Sequence, residues 1–182
     1  MKFSLEGEPE KKKIKIKVTV IGDGAVGKTS LIQKFTKGKF QTDYIKTIGA
    51  DLTNYQTEIG EFKIELIFWD IAGQDEFHFL RPSFYRYSKA AIIVYSLEEN
   101  DLGRRSFEHI TKWHEDVKQF CGEIPVVVFA NKVDLVEDQS LDKAKIQNLV
   151  KERKLLGYYI TSAKTGQGLD EAFNDLIKER LG

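Results

Sequence analysis

Eight consecutive residues, Gly22-Asp23-Gly24-Ala25-Val26-Gly27-Lys28-Thr29, have the types and spacing to hold phosphate. They fit G-x-x-x-x-G-K-[ST], in which glycines let the backbone wrap an anion while main-chain N–H groups and a helix start face it. Lys28 would reach the β- and γ-phosphates, and the Thr29 hydroxyl is a hard oxygen ligand suited to Mg²⁺. The pattern arises by chance in about 1% of chains of this length, given ordinary glycine usage. By itself it specifies a nucleoside triphosphate and leaves the base open.

A second stretch, Asn131-Lys132-Val133-Asp134, follows the apolar run Pro125–Ala130. One carboxylate can accept from two adjacent donors, and guanine offers N1–H and N2–H₂ side by side where adenine offers neither. An Asp134 at the base therefore favours guanine, because any other base leaves the carboxylate unpaired. Asn131 would brace the loop and the Lys132 stem would cover a base face. Thr161-Ser162-Ala163-Lys164 offers the Ala163 N–H to guanine O6.

These loops need strands and helices to hold them. Ile14–Ile21 reads as a strand entering a buried sheet. The phosphate loop then opens a helix with Leu31, Ile32 and Phe35 on one face. Asp51–Ile59 and Phe62–Trp69 form a hairpin around Gly60-Glu61. Ala90–Tyr95, Pro125–Ala130 and Tyr158–Thr161 read as further strands. Phe107, Ile110, Trp113 and Val117 recur at helical spacing, and Leu141–Arg153 and Leu169–Leu181 read as helices. Strand–helix alternation predicts an α/β fold, a six-stranded, mostly parallel sheet with one antiparallel edge strand and helices on both faces. Ligands of such sheets sit at the carboxyl ends of strands, where every motif above falls. Residues 1–13 read as a flexible N-terminal extension, leaving 14–182 as a single domain.

Taken together, the motifs resemble the Ras superfamily of small GTPases, over about residues 14–181. That resemblance implies a P-loop NTPase G domain that binds GTP or GDP with Mg²⁺ and switches partners as it hydrolyses GTP. Tyr44-Ile45-Lys46-Thr47-Ile48-Gly49 matches the first switch, with Thr47 on Mg²⁺ and the γ-phosphate. Trp69-Asp70-Ile71-Ala72-Gly73-Gln74 matches the second. There Asp70 would hold Mg²⁺ through water, the Gly73 N–H would meet the γ-phosphate and Gln74 would orient the attacking water. Ser30 joins the nucleotide site, Phe40 packs near the guanine, and Gly24 leaves room for the catalytic arrangement. Metal ligation thus falls to Thr29, Thr47 and Asp70, and catalysis to Gln74, Lys28 and Thr47. No arginine stands in an obvious cis-finger position; Arg81 and Arg86 read as surface or helix charges. Unaided hydrolysis is therefore expected to be slow, on the order of 10⁻⁴ to 10⁻³ per second.

Within the superfamily the switch segments look most like the Rab branch, where Leu52, Trp69 and Phe84 align with an apolar triad shown to effectors. The phosphate loop looks more like the Rho pattern, but Leu135–Ser162 has no room for the Rho insert. Ile71, Lys46 and Ser96 depart from the usual Rab residues. Exchange factors, activating proteins and effectors are the partners implied. Two other readings are a module that holds guanine nucleotide without cycling and an ATP-using enzyme with the same loop. Retention of Thr29, Thr47, Asp70 and Gln74 argues against the first, and Asp134 and Ala163 against the second.

Composition narrows the setting. The 182 residues carry 28 basic and 28 acidic side chains, a formal net charge of +0, with no general pull toward nucleic acid or anionic membrane. One cysteine, Cys121, excludes an internal disulfide framework and fits a reducing compartment. The spacing of His78, His109 and His114 is not that of a zinc site. Position 2 is not glycine and the chain as given stops at Leu181-Gly182 without a terminal cysteine, so no lipid anchor is expected on it. A cytoplasmic monomer is expected, with peripheral membrane contact only through a further tail or a partner.

Overall fold

The computed structural model describes residues 11–38, 47–73, 79–137 and 141–182. Six strands form one sheet: β1 (Lys12–Ile21), β2 (Ala50–Ile59), β3 (Phe62–Ile71), β4 (Ala90–Ser96), β5 (Val126–Asn131) and β6 (Gly157–Ile160). Their order is β2-β3-β1-β4-β5-β6. Only the β2–β3 pair is antiparallel; β1 runs parallel to both β3 and β4, and β5 to β4 and β6. Gly60 turns the hairpin at φ 56°, a left-handed conformation that costs glycine nothing.

β1 starts two residues before the apolar alternation suggests. Lys12 and Lys13 pair with Phe62 and Lys63, and their side chains stay exposed. The central strands are buried on both faces, which is why they read as apolar runs. Along them the period of two divides the core. Ile16, Val18, Val20, Ile92, Val94, Val127 and Phe129 face α1 (Lys28–Lys37) and α6 (Leu169–Leu181). Ile21, Ile93, Tyr95, Val126 and Val128 face the opposite layer. That layer holds α2 (Arg81–Tyr85), α3 (Asp101–Glu108), α4 (Ile110–Cys121) and α5 (Lys143–Arg153).

On the first face Phe173 of α6 anchors an aromatic cluster. It stacks on Phe35 at 3.9 Å and meets Phe68 and Phe129 edge-on at 5.3 Å each. Removing so large a buried ring costs about 3–5 kcal/mol, by loss of contacts and the cavity left behind. Ala172, Leu176 and Ile177 are buried beside it, as the helical spacing predicts.

Two local features differ from the sequence reading. The single helix expected through Phe107–Val117 is two, α3 and α4, joined at His109. The Asn100 side chain caps α3 by accepting from the Gly103 N–H at 3.0 Å. Arg81, read as a surface or helix charge, is a helix residue but a buried one: it is 4% exposed, with its guanidinium on Asp116 at 3.4 Å.

β1 lies at the point where the strand order reverses. The chain moves outward to β3 and β2 on one side and to β4, β5 and β6 on the other. In open α/β sheets that crevice, at the carboxyl ends, receives ligands.

Candidate functional site

The phosphate loop leaves β1 at the reversal point and enters α1 at Lys28. Gly27 has φ 101°, and a Cβ there would lie 2.4 Å from Asn131 Nδ2, so only glycine fits. Lys28 is buried, with its ammonium donating to the carbonyls of Gly22 (2.9 Å) and Asp23 (2.8 Å). Burial pushes its pKa down to about 8, against the pull of Asp70 and Asp23. An ammonium held this way, under a loop of N–H groups at a helix start, is an anion-binding arrangement.

Three oxygen-bearing side chains converge beside it. The Thr29 hydroxyl donates to Asp70 Oδ2 and lies 3.0 Å from the Thr47 hydroxyl. Thr47 Oγ1 also approaches Asp70 Oδ2 at 3.4 Å. Asp70, at the end of β3, is 3% exposed and burial raises its carboxyl above the usual range. Its Oδ1 is buried with no hydrogen-bond partner. Two hydroxyls and a carboxylate, one of whose oxygens has no partner, form the all-oxygen donor set that suits Mg²⁺. Among the described residues no cluster of three or more His, Cys, Asp or Glu could hold a metal, so a cation here would complete its shell from phosphate and water.

Gly73 brings the second switch against this loop. A Cβ on it would sit 2.2 Å from the Gly22 carbonyl oxygen and 2.6 Å from Gly24 N. Gln74 and Phe40, assigned to the attacking water and the guanine, lie outside the described residues, as do Tyr44, Ile45, Lys46 and His78.

The two loops expected at the base are joined by Asn131. Its Nδ2 donates to the Val26 carbonyl at 2.9 Å. Its Oδ1 accepts from the Thr161 hydroxyl at 3.3 Å and from the Ala163 N–H at 3.2 Å. Three loops thus hang on one buried amide. The Ala163 N–H is already engaged, so a guanine O6 would share it with Asn131 or use the next N–H, on Lys164. Asp134 is exposed and its Oδ1 accepts from the Ser162 hydroxyl at 2.5 Å, which fixes the carboxylate's direction. Lys132, at φ 71°, places its ammonium 2.5 Å from Glu98 Oε2. Glu98 was invisible to sequence reasoning, because it comes from the loop after β4 and meets Lys132 only in the folded sheet.

Asp23 was expected to contribute as a loop residue only. Its carboxylate instead reaches α4, taking the Trp113 indole N–H at 2.9 Å and His109 Nδ1 at 2.7 Å.

Leu52 and Phe84, assigned with Trp69 to an apolar triad, each lie beside Trp69. Leu52 is paired with Trp69 across β2–β3, and the Trp69 ring lies 5.9 Å from Phe84. Lys17 sits 3.9 Å above the Trp69 ring. Leu52 and nearby Ile48 are 52% and 77% exposed, an apolar surface at the end of the first switch and the start of β2. No helix among the described residues is long and apolar enough to cross a membrane.

Comparison with known proteins places this geometry. The Ras family profile matches residues 17–181. Ras-related protein Rab-21 of Bos taurus is 36% identical over 168 residues, covering 91% of this chain and 72% of that protein. Rab-21 of Geodia cydonium is 35% identical over 169 residues, 92% and 72% of the two chains. Ras-related protein Rab-32B of Dictyostelium discoideum is 40% identical over 172 residues, 91% and 64%. Members of this family bind guanine nucleotide with Mg²⁺ and work through exchange factors, activating proteins and effectors. Nothing among these relatives favours a nucleotide holder that does not cycle. With its phosphate loop, its threonine–aspartate oxygen cluster and its Rab relatives, the chain belongs to the Ras family of small GTPases and is a Rab-like, GTP-binding molecular switch.

Proposed function

We propose that GTP and GDP lie along Gly22–Ser30 with guanine between Lys132 and the Ser162–Lys164 loop, read by Asp134. Thr29 and Thr47 ligate Mg²⁺, and Asp70 holds it through water. The observation that carries this reading is the meeting of Thr29, Thr47 and Asp70 beside the buried Lys28 ammonium. These residues come from α1, the first switch and β3, and together they offer one cation oxygens from all three segments. Gln74, next to Gly73, orients water for hydrolysis, and the rate is slow without an arginine supplied in trans. Effectors read Leu52, Trp69 and Phe84 when GTP holds the switches. A cytoplasmic location with only peripheral membrane contact goes with this role.

The test is direct. Denaturing the purified protein should release GDP or GTP, and adenine nucleotide in its place would overturn the reading. Time-resolved phosphate release should show slow single turnover. Gln74→Leu should keep nucleotide binding and lose that release; unchanged hydrolysis would remove Gln74 from its role.

A further inference from the structure

A carboxylate in a phosphate-binding loop is an electrostatic liability. Asp23 lies one residue past Gly22, and its negative charge would repel bound phosphates unless held and compensated. Both of its oxygens are held. Trp113 Nε1 donates to Oδ1 at 2.9 Å, and His109 Nδ1 lies 2.7 Å from Oδ2. An ionised carboxylate can only accept, so His109 carries a proton on Nδ1. The backbone carbonyl of the same Asp23 receives the Lys28 ammonium at 2.8 Å. Fixing the Asp23 side chain therefore fixes a carbonyl that positions the phosphate-binding lysine.

The other side of Trp113 faces the second switch. The Arg81 guanidinium carbon lies 4.4 Å from the centroid of the Trp113 ring, and Arg81 is tied to Asp116, one turn further along α4. Arg81 is the first residue of α2, the helix that follows the second switch. Arg81 and Trp113 are 4% and 3% exposed, so neither contact is dissolved in solvent. One indole thus touches the second-switch helix with its face and the phosphate loop with its edge.

We propose that Trp113 is a positioning residue that couples α2 to the phosphate loop, so that displacing Arg81 loosens Asp23 and speeds nucleotide release. This rests on the reading of the site as a guanine-nucleotide pocket and names how that pocket is regulated. A partner that shifts α2 then acts on the phosphates without touching them. The energy lies in a charge-assisted hydrogen bond and a desolvated cation–π contact, both strong enough to matter for a release rate.

The experiment uses the full chain loaded with a fluorescent GDP analogue and chased with excess GDP. Trp113→Phe keeps an aromatic ring near Arg81 and deletes the N–H together with the indole's five-membered ring; release should speed by at least about tenfold, the worth of one charge-assisted hydrogen bond. Asp23→Ala should release faster still, and Asp23→Asn, which keeps an acceptor for the indole, should restore most of the wild-type rate. Arg81→Ala should also accelerate release, and combining it with Trp113→Phe should give less than the product of the two effects. The chain has two tryptophans, Trp69 and Trp113, so an ¹H–¹⁵N spectrum resolves two indole signals, assigned with Trp69→Phe. Arg81→Ala and Asp23→Ala should each move the Trp113 signal. A wild-type release rate in Trp113→Phe, fully multiplicative Arg81 and Trp113 effects, or an indole signal unmoved by Arg81→Ala would each overturn the coupling. Those results leave the nucleotide-site reading intact, whereas failure to load guanine nucleotide at all would overturn both.

Discussion

Asn131 Nδ2 donates to the Val26 carbonyl at 2.9 Å, which ties the loop after β5 to the middle of the phosphate loop. Asn131 is 1% exposed and its Oδ1 serves Thr161 and Ala163 as well. Asn131→Ala therefore strands a carbonyl, a hydroxyl and an N–H in a buried place. Leaving buried groups unsatisfied costs about 1–3 kcal/mol each, offset where water enters. Thermal unfolding should show a loss of about 2–4 kcal/mol, and GDP release should speed at least tenfold. Wild-type release with reduced stability would show that the brace serves the fold alone.

Asp134 is held by Ser162 with one oxygen, which leaves the other for a base. Asp134→Asn converts an acceptor pair to one acceptor and one donor. The variant should lose guanine preference and bind xanthine nucleotides, whose C2 carbonyl takes the new N–H. Competition binding with GDP and XDP checks it, and retained GDP preference would dismiss Asp134 as the base reader.

Lys28, with its pKa near 8, sets a pH dependence. Bound phosphate favours the ammonium, so the lysine keeps its proton in the complex to higher pH than in the free protein. Below pH 8 binding moves no proton at this site. Above it the free lysine is neutral and must take up a proton, so affinity falls by up to about tenfold per pH unit. The nucleotide-free chain behaves oppositely. The unfolded lysine titrates at 10.5 and binds more protons between about 8 and 10.5, so unfolding free energy rises with pH across that window. Indicator-dye measurement at pH 8.5 should record proton uptake on GDP binding; none would place the Lys28 pKa elsewhere.

Gly73→Ala tests the close approach of the second switch. The added methyl would meet the Gly22 carbonyl at 2.2 Å and the Asp23 carbonyl carbon at 2.5 Å, both backbone atoms with no rotamer to yield. The switch must move away, at a cost of about 1–3 kcal/mol. GDP binding should persist, because the base loops are untouched, while single-turnover phosphate release should fall by at least tenfold. Release at the wild-type rate would mean that the contact has no part in hydrolysis.

How much of this was legible beforehand depended on whether a feature lay in local pattern or in tertiary contact. All six strands were, since β4 and β5 are short apolar runs and β1 to β3 alternate. Of the oxygen cluster, Thr29 lies in the phosphate-loop pattern, whereas Thr47 and Asp70 were reached only through the resemblance to the Ras superfamily. The break at His109 was hidden, because Phe107, Ile110 and Trp113 keep helical spacing across it. The burial of Arg81 was hidden too, since an arginine reads as surface unless its partners, here Asp116 and Trp113, are known. The Asp23–Trp113 bond spans 90 positions, and no local pattern carries such a contact.

The order of the strands has a consequence for synthesis. The phosphate loop emerges early from the ribosome, but its brace Asn131 ends β5, and the residues that steady Asn131 and Asp134 follow β6, the last strand in sequence. A nascent chain short of Thr161 has a loop for phosphates, but its base-side residues Asn131 and Asp134 lack the Thr161, Ser162 and Ala163 partners that hold them. On the proposed reading, guanine nucleotide would stabilise a chain whose final strand has docked more than one cut short of it.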